Sequence, residues 1–326
     1  MNILSSEYVR VEKQKIEDFL SQLAQKSGMP EHKAAFLAEL LVKNDLRGVF
    51  SHGSRQMATY ARIMRDKTIN PDPRVKIISD SACNIIIDGD GGLGYFAAYN
   101  AAEALISRCK ENGIVAAVTR NHGHIGAAGI YSRLLAEQDL ISFVTSGHQL
   151  VLHSEDSIMR AAGGSPMSFA VPAGKEPPMV LDFGTMHDLY ADSPHVKELF
   201  ELAPGLVFRS MGLGFMCQAL GGFLAGIPLD EERASRKYKG ANQGALIIAL
   251  DITRFLDLKA FKQEMDAFMK ITEKMQPMPG HDRAFLPGVP EALREKEWSF
   301  SGIPVDAAHR SILNDAAVEF DLQLPF

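Results

Sequence analysis

The chain is poor in cysteine: Cys83, Cys109 and Cys217 are the three among 326 residues. An odd, scattered trio without a CxxC pair is neither a disulfide framework nor a zinc knuckle, and it fits a reducing, cytoplasmic setting. Long basic runs are absent too. With a net charge of −6, no stretch is suited to a nucleic-acid backbone, which argues against nucleic acid as the main partner. No uncharged apolar run approaches the roughly 20 residues of a membrane span. The opening "MNILSSEYVRVEKQKIEDFL" has charges where a signal peptide needs an apolar core. Repeats and low-complexity segments are lacking. What remains, 46% hydrophobic and 23% charged residues, is ordinary for a globular protein, and the length allows one large core or two to three domains.

What is present is a change of periodicity along the chain. Residues 11 to 26 place Val11, Ile16, Phe19, Leu20 and Leu23 on one side of an amphipathic helix. "SGMP" breaks it, Pro30 opens a second helix to about Asn44, and "QMATYARIMRDK" predicts a third, which "INPDP" ends. Strand and helix patterns then alternate: "NIIID", a helix over 95–112, "GIVAAVT", a helix over 127–138 and "LISFVTS". "MSFAVPA" and "PMVLDF" follow as short strands, then a helix over 212–226 and the strand "QGALIIALD". The end is helical over 255–272, 290–297 and 306–318, while residues 186–211 have no clean period. This order predicts an α+β chain. An α/β domain, residues 76–254, is inserted in a helical domain built from residues 1–75 and 255–326.

The stretch "IDGDGGLGYFAA" holds Gly89-x-Gly91-x-x-Gly94 between a strand and a helix, the letters of a dinucleotide fingerprint. A true fingerprint presents bare backbone N–H groups to a pyrophosphate. Here Asp88 and Asp90 flank the first glycine and oppose a dianion, so a tight turn with Asp and Gly at positive φ is the expectation.

Two histidine segments carry the chemistry. In "SHGSRQMATY", Ser51, His52 and Gly53 fall between two helices. An imidazole there, with an ordinary pKa of ~6.5, suits proton transfer; a capping serine beside a surface histidine is the plainer reading. In "RNHGHIGAAGIYSRLLAEQ", His122 and His124 are two apart between a strand and a helix. No HExxH or carboxylate triad accompanies them, so a catalytic histidine is expected rather than a metal. His148, just past "LISFVTS", faces the same region in this reading. "VLDFGT" puts Asp182 at a strand end, and Met211, Phe215, Met216 and Leu220 read as core of a Gly-rich helix.

Taken in order, "NDLRGVFSHG", "INPDP", "IDGDGGLGYFAA", "RNHGHIGAAGIYSRLLAEQDLI", "GGSPMSFAVPAG", "PPMVLDFGT", "GLGFMCQALGGFLAG" and "FLPG…SGIPV" resemble the type-2 malate/L-lactate dehydrogenase family over nearly the whole chain. The resemblance implies a homodimer with NAD or NADP on a non-Rossmann α/β domain. It implies hydride transfer between nicotinamide C4 and a small 2-oxo acid, 2-hydroxy acid or cyclic imino acid. Catalytic roles fall on His124, His52 and Ser51, and substrate contacts on Arg55, Gln56, Tyr60, His122 and His148. Dinucleotide contacts fall on Gly164, Ser165, Pro166, Asp182, Phe183, Gly184, Gly212 and Gly288, with no metal.

The departures define the rival readings. The family's arginine four residues after the Ser-His-Gly histidine is Gln56 here, with Arg55 beside it but turned by about 100° on a helix. The lysine before Gly212 is Met211, Asn-Ser-Asn-His is Asn121-His122-Gly123-His124, and Gly-Thr-Asn-Pro is Gly163-Gly164-Ser165-Pro166. The segment between "VLDFGT" and "GLG" is short. A non-catalytic or altered-substrate dimeric relative is therefore the second reading, and a metal-dependent hydrolase the third.

Overall fold

The computed structural model describes residues 7–186, 189, 193 and 195–326. Strand β1 (Tyr8–Val11) pairs antiparallel with β9 (Ile303–Asp306), placing Val11 opposite Ile303 and tying the two ends of the chain together. Around this ribbon lie α1 (Lys13–Lys26), α2 (Glu31–Leu46), α3 (Met57–Arg65), α9 (Val289–Ser301) and α10 (Ala307–Phe320). Helix α1 buries Ile16, Phe19, Leu20, Leu23 and Ala24, the stripe its period predicts. Helix α2 is central, and it buries even Asn44 and Asp45 near its C-terminus.

All seven strands of the large sheet lie between Lys76 and Asp251. They are β2 (Lys76–Asp80), β3 (Asn84–Asp88), β4 (Ile114–His122), β5 (Leu140–His148), β6 (Pro166–Val171), β7 (Met179–Gly184) and β8 (Gln243–Asp251). The order is β2-β3-β4-β8-β5-β6-β7. The β3–β4 pair is parallel and joined by helix α4 (Gly94–Asn112), the crossover a parallel pair requires. Strand β8 inserts between β4 and β5, so Gln243 lies opposite both His122 and His148. That register brings the ends of two histidine-bearing strands to one edge of the sheet.

Helix α5 (Gly129–Ala136) packs on β5 and β6. Helices α6 (Val196–Leu202) and α7 (Pro204–Cys217) fill much of the stretch that lacks a period, and α7 continues as a π-helical segment, Gln218–Phe223. The helix expected over 212–226 thus starts eight residues earlier, because Pro204 suits a first helical turn. Helix α8 (Leu258–Thr272) follows the sheet. Residues 187, 188, 190–192 and 194 of the aperiodic stretch lie outside the described residues. The main core runs without a break from Ile16, Leu37 and Leu41 of the helical ends to Ile85, Tyr95 and Ala117 of the sheet layer.

Candidate active site

The glycine turn is a scaffold for the histidine loop. Its backbone donors are already used: Gly89 N donates to Arg120 O at 2.9 Å, Gly91 N to Asn121 O at 2.9 Å, and Gly94 N to His124 O at 2.9 Å. Gly92 N donates to Gly89 O, and Gly123 N returns a bond to Gly92 O at 2.8 Å. Both carboxylates fold inward. Asp88 Oδ1 accepts from Asp90 N and Asn121 Nδ2, and Asp90 Oδ2 accepts from Arg74 N. Asp90 and Gly91 take φ of 49° and 75°, the expected left-handed turn. A pyrophosphate site needs free N–H groups, and these glycines spend theirs on holding residues 120–124 in place.

That clamp fixes two histidines in different roles. His122 is fully buried, with Nε2 2.8 Å from Thr119 Oγ1 and Nδ1 2.7 Å from Gly123 O. Both ring nitrogens are engaged inside the protein, so the expected substrate contact is replaced by a structural one. Burial pushes its pKa down to about 4. His124 is partly exposed, with Nδ1 2.6 Å from the Tyr60 hydroxyl, which lies 3.3 Å from the Tyr95 hydroxyl. Tyr60 and Tyr95 are buried, and the Tyr60 hydroxyl holds the His124 ring in place. Burial, then the neighbouring His52 and His122 rings, lower His124 to about 4. Its imidazole is neutral at pH 7.

His52 comes from the other end of the fold. Short 3₁₀ turns at Phe50–His52 and Ser54–Gln56 join α2 to α3 and place the His52 ring centroid 5.4 Å from that of His124. Ser51 Oγ lies 3.0 Å from His52 Nδ1, and Asn44 Nδ2 donates to His52 O. Gln56 Nε2 donates to Ser51 O at 2.6 Å, bracing this turn. Arg55 reaches Asp306 at 3.1 Å, the N-cap of α10, and lies over the Phe50 ring. Arg55 and Gln56, both expected at the substrate, thus each also have a partner within the fold.

Beneath the turn is a buried polar chain that sequence gives no sign of, since its members lie 9 and 255 positions apart. Asp45 Oδ2 accepts from Ser54 N at 3.1 Å, and Ser54 Oγ lies 2.7 Å from His309 Nε2. Asp45 Oδ1 and His309 Nδ1 have no hydrogen-bond partner among the described residues. Burial outweighs the Ser54 hydrogen bonds and Arg55 and pushes the Asp45 carboxyl up to about 7. Because the folded pKa is raised, the folded state alone holds this proton between the unfolded carboxylate range and about pH 7. Stability from this group is present at low pH and is lost as pH rises through that window. Asp45→Asn keeps an acceptor for Ser54 N and removes the titration. Its stability relative to wild type should improve by on the order of 3 kcal/mol from pH 4 to pH 8, read from urea midpoints. A pH-independent difference would show an ordinary carboxyl.

Three of the eight expected dinucleotide contacts, Gly164, Asp182 and Gly288, line two cavities. His148 and Gly164 line one of about 1080 Å³. Its wall is steadied by Gln218, whose side chain accepts from His148 N and donates to His148 O. Asp182 and Gly288 line the second, of about 620 Å³, with Arg133 and Phe285. Strand β7 runs from Asp182 to the exposed Phe183 and on to Gly184, where an added Cβ would lie 3.7 Å from Gly164 O. Asp182 is held at about 6 by burial, against the pull of Arg133 and the Gly129 N–H. Ser165 is buried at φ 50° and bonds Ala162 O, while Pro166 opens β6; both shape the turn. Gly288 at φ 91° packs on Val180 and caps α9. An added Cβ at Gly164 or Gly212 would meet nothing within 4 Å.

Comparison with known proteins matches the family model described as malate/L-lactate dehydrogenase over residues 11–187 and 196–314. The chain belongs to this family. A malate dehydrogenase of Pyrococcus horikoshii is 27% identical, covering 94% of each chain. An L-sulfolactate dehydrogenase of Methanocaldococcus jannaschii is 26% identical over 92% of this chain and 94% of its own. The solved malate dehydrogenase structure from P. horikoshii superposes with a TM-score of 0.84 at 26% identity, covering 99% of both chains. Family membership brings oxidoreductase chemistry with NAD or NADP. Within the family frame, Tyr95, which stands behind Tyr60 and His124, is a part of the site that letter patterns do not reveal: it lies 35 positions from Tyr60.

Proposed function

We propose that the protein transfers hydride between a nicotinamide dinucleotide and a small 2-oxo acid, 2-hydroxy acid or cyclic imino acid, with His124 moving the accompanying proton. The observation that carries this reading is the 5.4 Å approach of His52 and His124, which are brought together from separate chain regions. Bound NAD or NADP supplies the hydride acceptor or donor. The residues fit such a group: the open space over Gly164 and Gly212 allows close backbone approach, and a cavity of about 1080 Å³ is at the upper end of ligand sites.

His124 is suited to both directions. Neutral at pH 7, with Nδ1 held at Tyr60, its Nε2 accepts the hydroxyl proton as a 2-hydroxy acid is oxidised. In reduction the same nitrogen, once protonated, donates to the oxygen or nitrogen that gains electron density. His52, anchored by Ser51 and Asn44, sets the electrostatics of that ring. Fluorescence titration with NADH and NADPH tests the reading. Saturable binding of either is expected, and no binding of either at high concentration would overturn it.

Gly212→Ala separates cofactor binding from folding. The residue lies inside α7 with open space beyond it, so the added methyl should leave stability unchanged or raise it by up to ~1 kcal/mol. Dinucleotide affinity should fall several-fold. Equal affinity would remove Gly212 from the cofactor surface.

The active form in this proposal is a homodimer. Leu202, Leu206, Phe208, Leu213, Met216 and Phe223 are exposed along α6, α7 and the π-helical segment. Pro204–Phe223 is also the one helix among the described residues long and apolar enough to cross a membrane, although Arg209 interrupts it. A face of this kind needs a cover, and a second copy of the chain supplies one. Light scattering should give twice 35.7 kDa, falling to the monomer in Leu206→Glu/Phe208→Glu. A monomeric wild type would contradict it.

A further inference from the structure

A third cavity, of about 280 Å³, lies at the C-terminal end of β4 and is lined by Arg120, Arg233 and Arg236. In a chain of net charge −6, three guanidiniums around one small cavity are a local reversal of sign. Asp88 is the one carboxylate in its lining, and its Oδ1 is occupied by Asn121 Nδ2 and Asp90 N. Arg236 is preset: its side chain is 11% exposed, with Nη1 3.1 Å from Gln149 Oε1 and Nη2 3.2 Å from the solvent-facing Glu231. The guanidiniums of Arg120 and Arg233 have no hydrogen-bond or ion-pair partner among the described residues.

We propose that Arg120, Arg233 and Arg236 form an oxyanion-binding subsite, distinct from the histidine pair, that takes a phosphate group. Guanidinium forks match the oxygens of such a group in pairs, and their convergence in a concave, polar-lined space lowers the cost of holding like charges together once the anion enters. The volume falls just below the range of sites for whole organic ligands, so it suits a phosphate on a short stem rather than a complete dinucleotide. Gln149 links the subsite to the larger cavity: it bonds Arg236 and also lines the space beside His148 and Gly164. The phosphate has two possible sources, free inorganic phosphate or a phosphate group of a dinucleotide. The subsite does not depend on the oxidoreductase reading, because it is tested without turnover.

The test is calorimetric titration of the full chain with inorganic phosphate at constant ionic strength. Wild type should bind saturably, and Arg120→Gln and Arg233→Gln should each weaken binding at least tenfold. Both positions are exposed, so the variants should keep the wild-type melting temperature. Arg120→Lys, which keeps the charge and loses the fork, should fall between. Repeating the titration with NADPH present identifies the source: competition assigns the subsite to a dinucleotide phosphate, and independent binding assigns it to a free anion. Absence of saturable binding by wild type, or equal binding by the Arg120→Gln/Arg233→Gln double variant, would overturn the proposal.

Discussion

Replacing His124 with alanine is expected to lower kcat/KM by roughly 10²–10⁴-fold, the usual contribution of a positioned acid–base group, while dinucleotide affinity changes little. Two companion variants show whether the loss is chemical. Tyr60→Phe removes the hydroxyl 2.6 Å from Nδ1 but preserves the ring, so it should cost about tenfold through misorientation of the imidazole. His52→Gln removes a neighbour that lowers the His124 pKa. The acid limb of the kcat/KM profile for oxidation should therefore move to higher pH. A limb that stays in place would separate His52 from the electrostatics of His124. Full activity in His124→Ala would leave the pair without a catalytic role and favour the non-catalytic reading raised by the loss of an arginine at position 56.

Gly126→Ala is the substitution expected to damage the fold most. Gly126 has φ 74°, and a Cβ there would lie 2.6 Å from Tyr95 Cε1 and closer still to its Cζ and hydroxyl. Tyr95 is fully buried and has no direction in which to yield. Left-handed strain and overpacking together should cost about 3–5 kcal/mol, on the order of 10 °C in Tm. Gly280→Ala is the control: φ is 83°, but nothing lies within 4 Å of the added methyl, so about 1 kcal/mol is expected. Because Tyr95 stands behind Tyr60 and His124, activity in Gly126→Ala should fall at temperatures where the fold survives. Similar stability losses in the two variants would show that conformation alone, and not packing on Tyr95, governs position 126.

The fold is legible in the sequence where burial imposes a period. The stripe of α1 and the runs of β3, β4, β5 and β8 are set by one side of an element facing the core, and they are readable locally. Strand β2 is exposed along its whole length, so Lys76–Asp80 shows no alternation. Strands β1 and β9 have four residues each and exist because they find each other across nearly 300 positions. The glycine motif illustrates the limit of letters: the turn conformation was legible from Asp and Gly, but its purpose lay in the carbonyls of Arg120, Asn121 and His124. The same holds at the site. His52 and His124 stand out in the sequence as candidates for proton transfer, whereas the sealing of His122 by Thr119 and the pairing of Arg55 with Asp306 depend on partners that no local pattern specifies.

The most direct test is a crystal structure with dinucleotide bound, measuring the distance from nicotinamide C4 to the His124 imidazole. The account predicts C4 facing His124, separated by the width of one substrate carbon and its oxygen, with the cofactor running past Gly164 and Gly184. A nicotinamide turned away from His124, or a pyrophosphate seated against Gly89 to Gly94, would contradict it.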